Sequence, residues 1–160
     1  MDAYDVAVDD SPRGPDREGR PLDRLLTAAG QAAGRLRQRA ASTHGLSTTA
    51  LGVLGVLAEA DAVSQRELAG RLDVTPATLT PVLDGLERAG SVLRSRDARD
   101  RRVIRLSITP AGRERWSAAR AGVAAAVRER LPQPGPEDEA IIRGYLIAVL
   151  AGCDDEFTVT

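Results

Sequence analysis

Two short stretches of this chain carry side chains whose types and spacing suit contacts with a nucleic acid. The first is rich in arginine and aspartate and reads Arg96-Asp97-Ala98-Arg99-Asp100-Arg101-Arg102. The second brings three hydroxyl groups close together in the sequence, those of Thr75, Thr78 and Thr80. Arginine makes bidentate contacts with phosphate and with guanine, and threonine exchanges hydrogen bonds with phosphates and base edges. The chemistry that these residues offer is therefore recognition of DNA rather than catalysis.

The surrounding sequence predicts two short helices joined by a tight turn. Ser64 and Glu67 form the capping-box pattern that begins the first helix. Thr75-Pro76 begins the second helix, with a hydroxyl at the N-cap and a proline at the first helical position. Apolar residues at helical spacing predict its buried face, and Gly90 is placed to end it. These apolar residues are Leu79, Leu83 and Leu86. A helix presented in this way can place its N-terminal threonines in the major groove.

A two-stranded hairpin is predicted directly after the second helix, with strands at 91–96 and 103–108 and a polar tip at 97–102. In the second strand Ile104, Leu106 and Ile108 alternate with polar residues, which is the pattern of a half-buried strand. The tip can reach a DNA backbone or a minor groove. Two interpretations stay open here, because helix-turn-helix packing and charged hairpin tips also occur in proteins that bind no DNA. The alternative is a protein-interaction module.

Length and composition favour one globular domain, with enough residues for additional elements that mediate oligomerisation. Of the 160 residues 42% are hydrophobic but only 2% are aromatic, so Leu, Val, Ile and Ala must build the core. No apolar run is long enough to span a membrane, and no signal-peptide pattern opens the chain. The single cysteine, Cys153, excludes an intramolecular disulfide framework. We expect a cytoplasmic protein with no membrane partner.

Catalysis and metal binding lack the residues that they need. His44 is the only histidine, so neither a His-based triad nor a metal site built on histidine pairs has the necessary side chains. No nucleophile motif, phosphate-binding glycine loop or pair of opposed carboxylates is recognisable. The sequence therefore predicts no enzyme activity, no catalytic or metal-binding residue and no cofactor.

Further helices are predicted on both sides of the central unit. The first begins at Pro21 or Leu22 and ends near Ser42, and the second spans Ser47–Glu59. The third begins at Thr109-Pro110 and ends near Leu131, and the fourth spans Glu137–Gly152. The first helix and the last two carry apolar faces that the central unit cannot cover. Packing against the same helices of a second copy is the economical solution, since two-fold symmetry is the commonest oligomer. The alternative is a monomeric bundle.

The chain accordingly divides into segments of different character. They are an acidic disordered tail at 1–20, a helical dimerisation region at 21–46 and 109–153, a DNA-binding unit at 47–108 and a second acidic tail at 154–160. Charge follows this division, because residues 64–116 carry eleven Arg against seven Asp or Glu, whereas 132–160 carry one Arg against six. Although the whole chain has a net charge of −1, its middle is basic and its ends are acidic.

Three segments resemble the MarR family of winged helix-turn-helix transcriptional regulators. The most specific is the tip at 97–102, which is close to the family's D-x-R-D-x-R pattern. Leu86-Glu87-Arg88-Ala89-Gly90 before the hairpin and Leu106-Ser107-Ile108-Thr109-Pro110-Ala111-Gly112 after it agree with the family as well. The resemblance covers about residues 22–152. It implies a mainly α fold with a small β-hairpin, namely a winged helix-turn-helix plus a helical dimerisation region.

The resemblance also implies a function and roles for individual residues. A homodimer would bind double-stranded DNA, with its recognition helices in successive major grooves of a pseudo-palindromic operator. Arg99 would enter the minor groove, and Arg101 and Arg102 would contact phosphate or support the hairpin. Arg96, beside the tip, would belong to the same set of DNA-binding residues. Asp97 and Asp100 would fix the arginines rather than touch DNA. Thr75, Thr78 and Thr80 would face base edges or phosphates, and Ser64 and Gln65 would face the backbone beside them.

Two further expectations follow from the family pattern. Many members release DNA when a small molecule enters a cleft, which here would be lined by the first, second and long helices, with Trp116 and His44 as contributors or as packing residues. Pro81 departs from the pattern, since members often carry a DNA-contacting arginine at that place. We expect Pro81 to remove one helical hydrogen bond and to bend the recognition helix, unless the N-terminal turn tolerates it.

Overall fold

The computed structural model describes residues 19–60, 62–97 and 100–155, so most of the predicted N-terminal tail, the tip residues Ala98 and Arg99 and the end of the C-terminal tail lie outside it. Six helices and three short strands follow one another along this part of the chain. They are α1 (Leu22–Ser42), α2 (Thr48–Glu59), β1 (Val63–Ser64), α3 (Gln65–Arg71), α4 (Pro76–Arg88), β2 (Val92–Arg96), β3 (Ile104–Ile108), α5 (Pro110–Arg130) and α6 (Pro136–Asp155). The predicted mainly helical fold with a small β-hairpin is confirmed, and the last helix extends to Asp155 rather than ending at Gly152.

Capping side chains set the starts of four helices where the sequence predicts them. Ser47, Ser64, Thr75 and Thr109 each accept a hydrogen bond from a backbone N–H in the first turn of the helix that follows. Glu67 completes the capping box by accepting from the backbone N–H of Ser64. Gly90 has φ 66°, the left-handed conformation expected of a residue that ends a helix. These bonds fix the helix boundaries locally, before any long-range packing.

The core lies where α2, α3 and α4 pack against the sheet. Its largest fully buried side chains come from all of these elements: Leu54, Leu57, Leu68, Leu79, Leu83 and Leu106. The three predicted core leucines of α4 are buried, with Leu86 3% exposed and the other two at 0%. Burial of these aliphatic side chains supplies the main stabilisation of a core that contains almost no aromatic residues.

The sheet is antiparallel with the order β1-β3-β2. Its third strand, β1, lies directly before α3 in the chain and pairs with β3 of the hairpin. Val63 pairs with Leu106, so the sheet has one strand more than the two-stranded hairpin that the sequence predicts. The predicted inward alternation of β3 holds only near the core, because Leu106 is 1% exposed but Ile104 is 42% exposed. Ile104 lies opposite Arg96 at the far end of the hairpin, beyond the edge of the core.

α4 continues through Pro81 to Arg88. Proline has no N–H, so the helical bond to the carbonyl of Ala77 cannot form, as expected from the sequence. The rest of the helix tolerates this loss, since its buried leucines lie on the other side and Pro81 itself is exposed. The turn before α4 contains Asp73 at φ 51°, a conformation that aspartate adopts more readily than most residues.

The long helices extend beyond the core and leave apolar surface uncovered. α1 packs along α5, in which Ala119 and Val123 are buried, but the buried face ends before Leu131, which is 38% exposed. α6 contributes no buried residue, and its large apolar side chains lie 40–72% exposed. These are Ile141, Ile142, Tyr145, Leu146, Ile147 and Leu150. Within the described ranges, no helix has both the length and the apolar character to cross a membrane.

The hairpin joins α5 through one tight junction. Thr109 donates its backbone N–H to the carbonyl of Ser91 at 3.0 Å and its hydroxyl to the carbonyl of Gly90 at 2.7 Å. Gly112, in the first turn of α5, lies so close to Ser91 that a Cβ added there would be 2.1 Å from the Ser91 carbonyl oxygen. The contact is with a backbone carbonyl, which cannot move away as the end of a flexible side chain could. Only glycine therefore fits at residue 112.

We predict that Gly112→Ala destabilises the protein by about 1–3 kcal/mol, because the methyl group forces β2 and α5 apart. The measurement is urea unfolding at one fixed protein concentration. Gly85→Ala in α4 is the matched control, since a Cβ there meets no atom within 4 Å. The control should leave stability unchanged or raise it by up to about 1 kcal/mol through helix propensity. Equal stability of the two variants would contradict the junction.

Candidate nucleic-acid interface

The exposed N-terminal part of α4 presents the three predicted threonines. The hydroxyls of Thr75 and Thr78 lie 2.8 Å apart and share a hydrogen bond, and the Thr75 hydroxyl also accepts from the backbone N–H of Thr78. Thr80 donates its hydroxyl to the carbonyl of Pro76 at 3.2 Å. The structure therefore brings Thr75 and Thr78 together, whereas Thr80 lies on another side of the helix beside Gln65. All three are exposed, with part of their hydrogen-bonding capacity already used within the protein.

Gln65 joins α3 to α4 at this surface. Its side-chain amide nitrogen donates to the carbonyl of Pro76 at 2.8 Å and to the hydroxyl of Thr80 at 3.1 Å. The predicted backbone-contact residues Ser64 and Gln65 thus lie beside α4, but both also have structural partners. Ser64 caps α3, and Gln65 fixes the first turn of α4 relative to α3.

One arginine that the sequence analysis did not single out holds the hairpin in place. Arg105, in β3, donates through Nε to Asp97 at 2.7 Å and through Nη1 to Glu67 and to the carbonyl of Ala62, both at 3.3 Å. A single guanidinium group thereby connects the hairpin tip to the start of α3 and to the chain before β1. Its planar fork of donors suits this role better than an ammonium group would.

The charges of this cluster reinforce one another. The backbone N–H of Ser64, its hydroxyl and the nearby Arg105 lower the pKa of the Glu67 carboxyl below its usual value of 4.5. The hydrogen bond to Asp97 raises the pKa of Arg105 further above neutrality. Because the folded pKa of Glu67 is the lowered one, its stabilising contribution is present above pH 4.5 and is lost as the pH falls through the folded value. The cluster is therefore fully charged near neutral pH.

The hairpin tip is shaped by its two aspartates. Asp97 accepts the backbone N–H of Asp100 at 3.2 Å through Oδ1, and Asp100 accepts the backbone N–H of Arg102 at 2.9 Å. Backbone bonds from Asp97 to the carbonyl of Val103 and from Val103 to the carbonyl of Asp100, both 2.9 Å, close the turn. Both aspartates thus contact main-chain groups of the tip, and Asp97 also binds Arg105.

A second structural arginine ties the hairpin to α4. Arg94, in β2, donates to Asp84 at 2.7 Å and to Glu87 at 2.5 Å, and the bond to Asp84 raises its pKa. Both carboxylates lie in the last turns of α4. Arg94 and Arg105 cannot be singled out from the sequence, because their partners come from other elements. Their only local signal is a charged residue at alternate positions of a strand.

The remaining described arginines of the hairpin differ from these two. Arg96, Arg101 and Arg102 have exposed side chains, and none forms an ion pair with a described residue. Arg99, for which the family pattern implies the minor-groove contact, lies outside the described residues. The hairpin therefore keeps two guanidinium groups for its own structure and presents others to solvent.

His44 and Trp116, which the family pattern places near an effector cleft, pack closely against glycines here. Added Cβ atoms would lie 2.4 Å from His44 Nε2 at Gly122 and 3.3 Å from Trp116 Nε1 at Gly55. The Arg120 guanidinium lies 5.5 Å from the centre of the Trp116 ring, within cation–π distance. Both residues therefore serve packing between α5 and the elements before it.

Comparison with known proteins connects this geometry to a family. Residues 46–104, which span the core and most of the hairpin, match the model of the MarR family. The transcriptional repressor MdtR of Bacillus subtilis is 31% identical over 108 residues, which cover 68% of this chain and 69% of MdtR. The chain belongs to the MarR family. The regulator TtmR of Methylorubrum extorquens is 38% identical over 86 residues, but this chain spans only 44% of its length.

Solved structures of the family share the fold over a larger part of the chain. CouR bound to a 23-mer DNA duplex is 25% identical, with a TM-score of 0.71, and the match covers 82% of this chain and 92% of that one. CouR from Rhodococcus jostii RHA1 bound to p-coumaroyl-CoA is also 25% identical, with a TM-score of 0.68 and coverage of 87% and 94%. These matches confirm the winged helix-turn-helix architecture for this MarR-family chain.

We predict that Arg105→Met loosens the hairpin tip while the core stays folded. Hydrogen exchange at the backbone N–H groups of Asp100 and Arg102 should accelerate about 3- to 10-fold, as expected for the loss of one charge-assisted hydrogen-bond network. Arg94→Met is the matched control, because it removes an ion-paired arginine from the neighbouring strand without touching Asp97. If exchange at the tip were equally fast in both variants, or unchanged in Arg105→Met, the assigned role of Arg105 would be wrong.

Proposed function

We propose that this chain is a sequence-specific DNA-binding transcriptional regulator, a repressor that binds a pseudo-palindromic operator as a homodimer. The observation that carries the proposal is the division of the hairpin arginines. Arg94 and Arg105 are neutralised by carboxylates, whereas Arg96, Arg101 and Arg102 are exposed without an ion-pair partner among the described residues. Exposed guanidinium groups on a rigid support match the phosphates of a duplex.

The two parts of the interface would contact different features of the duplex. α4 would enter the major groove with its threonine surface, and the hairpin would lie along the backbone with Arg99 in the minor groove. Ser64 and Gln65 would approach the backbone next to α4. The relative CouR is known bound to a 23-mer DNA duplex, which supports DNA binding by this chain, as does the basic charge of residues 64–116.

The uncovered helices support the homodimer. Large apolar side chains on one helix rarely stay exposed in a monomer, and α6 exposes six of them. Residues 21–46 and 109–153 would form the dimerisation region and residues 47–108 the DNA-binding unit. A two-fold axis would then place the two α4 helices one helical turn of DNA apart, which explains why the proposed operator is a pseudo-palindrome.

Two further parts of the proposal come from the relatives. CouR binds p-coumaroyl-CoA, which supports a small-molecule effector for this chain, with the cleft between α1, α2 and α5 as its site. The relative MdtR is a repressor, which supports repression of transcription by this chain as well. Because such a regulator acts where genomic DNA lies, we propose a cytoplasmic location.

The salt dependence of DNA binding tests the proposal. For the dimer we expect a slope of log affinity against log salt steeper than about −4, because each subunit neutralises several phosphates. Arg101→Ala should lower affinity for every duplex sequence and reduce the steepness by about 2, one phosphate contact for each subunit. Fluorescence anisotropy titrations over a range of salt concentrations provide the measurement.

Arg128→Ala is the control, since it removes the same charge from an exposed position of α5 outside the hairpin. It should leave both affinity and slope within experimental error of the wild type. A salt-independent response, or no binding to any duplex at low ionic strength, would instead support a protein-interaction module.

The dimerisation region has a test of its own. A chain that ends before Pro132 lacks α6 but keeps every buried residue of the described core, so it should remain folded and sediment as a monomer. Circular dichroism checks the fold, and sedimentation velocity checks the association state against the full chain. An intact dimer of the shortened chain would refute the assignment of α6 to the interface.

A further inference from the structure

The exposed surface of α4 contains an apolar patch next to its threonines. Pro81 is exposed, and Ala77 lies one turn before it, so the two side chains are neighbours on the same side of the helix. The side chains of these two residues offer only carbon atoms, and Pro81 also lacks a backbone N–H. At this place α4 can contact a base edge by van der Waals packing but cannot donate a hydrogen bond to it.

The polar groups around the patch are directed elsewhere. The hydroxyl of Thr80 donates to the carbonyl of Pro76, and the amide of Gln65 donates to the same carbonyl and to Thr80. The hydroxyls of Thr75 and Thr78 bond to each other one turn nearer the start of the helix. These polar side chains are thus bonded to one another or to the backbone, and the surface that Ala77 and Pro81 form is apolar.

The major groove presents one apolar group that such a patch can recognise. At that edge guanine, cytosine and adenine display hydrogen-bonding groups and ring C–H groups, whereas thymine also displays its 5-methyl group. Proline adds rigidity, because its ring loses little side-chain entropy when it is buried against a partner. A rigid apolar ring on a groove-facing helix is thus complementary to thymine and to no other base.

We infer that Pro81, with Ala77 beside it, packs against the 5-methyl group of a thymine at one position of each operator half-site. The inference rests on the proposed function, since it requires α4 to enter the major groove. It makes Pro81 a specificity-determining residue of this chain. The base read here is selected by shape and burial of a methyl group, and the hydrogen-bonding contacts are left to other positions.

Removing one thymine methyl group at a time from the DNA tests the inference directly. The full-length protein first selects bound sequences from random duplex DNA. Each thymine of the selected operator is then replaced in turn by deoxyuridine, which keeps base pairing and removes only the methyl group. One symmetry-related position in each half-site should lower wild-type affinity by roughly fourfold, the value expected for one buried methyl group.

Two proline variants connect that position to Pro81. Pro81→Ser restores the helical N–H and removes the apolar ring, so the deoxyuridine effect at this position should fall to less than about twofold. Pro76→Ser makes the same chemical change one turn earlier in the same helix and should keep the full effect. Circular dichroism and sedimentation confirm that both variants fold and associate as the wild type does.

The outcomes separate the inference from the proposed function. If no sequence is enriched from random DNA, the proposed function itself fails. If a sequence is enriched but no thymine responds to deoxyuridine, DNA binding stands and the methyl contact is refuted. A response that persists unchanged in Pro81→Ser would also overturn the inference, because another residue would then contact the methyl group. The scan of the wild type decides the existence of the contact even if a variant does not fold.

Discussion

The guanidinium group of Arg105 determines where the hairpin can point. The hairpin projects beyond the core, and Ile104 near its far end is 42% exposed. Arg105 attaches this part of the hairpin by binding Asp97 on one side and Glu67 on the other. Since Glu67 is also part of the capping box of α3, the same carboxylate fixes the start of that helix and, through Arg105, holds the hairpin. The recognition elements thereby share one electrostatic support, which stays charged over the whole neutral range.

This support explains how a chain of net negative charge can present a basic surface. Arginines close together in a hairpin repel one another, and each exposed one favours a looser chain. Here the carboxylates are arranged to neutralise Arg94 and Arg105, which hold the hairpin to α4 and α3, and not Arg101 or Arg102. Asp97, which binds Arg105, and Asp100 also accept backbone N–H groups, so both shape the turn that carries the exposed arginines. Two arginines of the hairpin thus serve its structure, and the proposed contacts with DNA fall to others.

The sequence alone was sufficient wherever the deciding interaction is local. Capping residues such as Thr75 lie three positions from the N–H groups that they bind, so helix starts could be predicted closely. The partner of Arg105 in α3 lies 38 residues away, and no periodicity reveals such a pair before the strand register is known. For the same reason the exposure of Ile104 was not predicted, because it depends on how far the core extends under the hairpin. Arg99 remains a prediction from the family pattern.

The junction between the hairpin and α5 offers a route by which an effector could act on the DNA-binding surface. Arg115 of α5 donates to the carbonyl of Gly45 at 2.8 Å and approaches the hydroxyl of Ser91 at 3.5 Å, and Gly112 holds the Ser91 carbonyl against the start of the same helix. A ligand that shifted α5 relative to α1 and α2 would have to carry Ser91 with it, because this contact leaves no free space. Ser91 directly precedes β2, the strand that Arg94 ties to α4. An effector could then change DNA affinity by displacing α5 alone, because the close contact between Gly112 and Ser91 would pass that displacement on to β2.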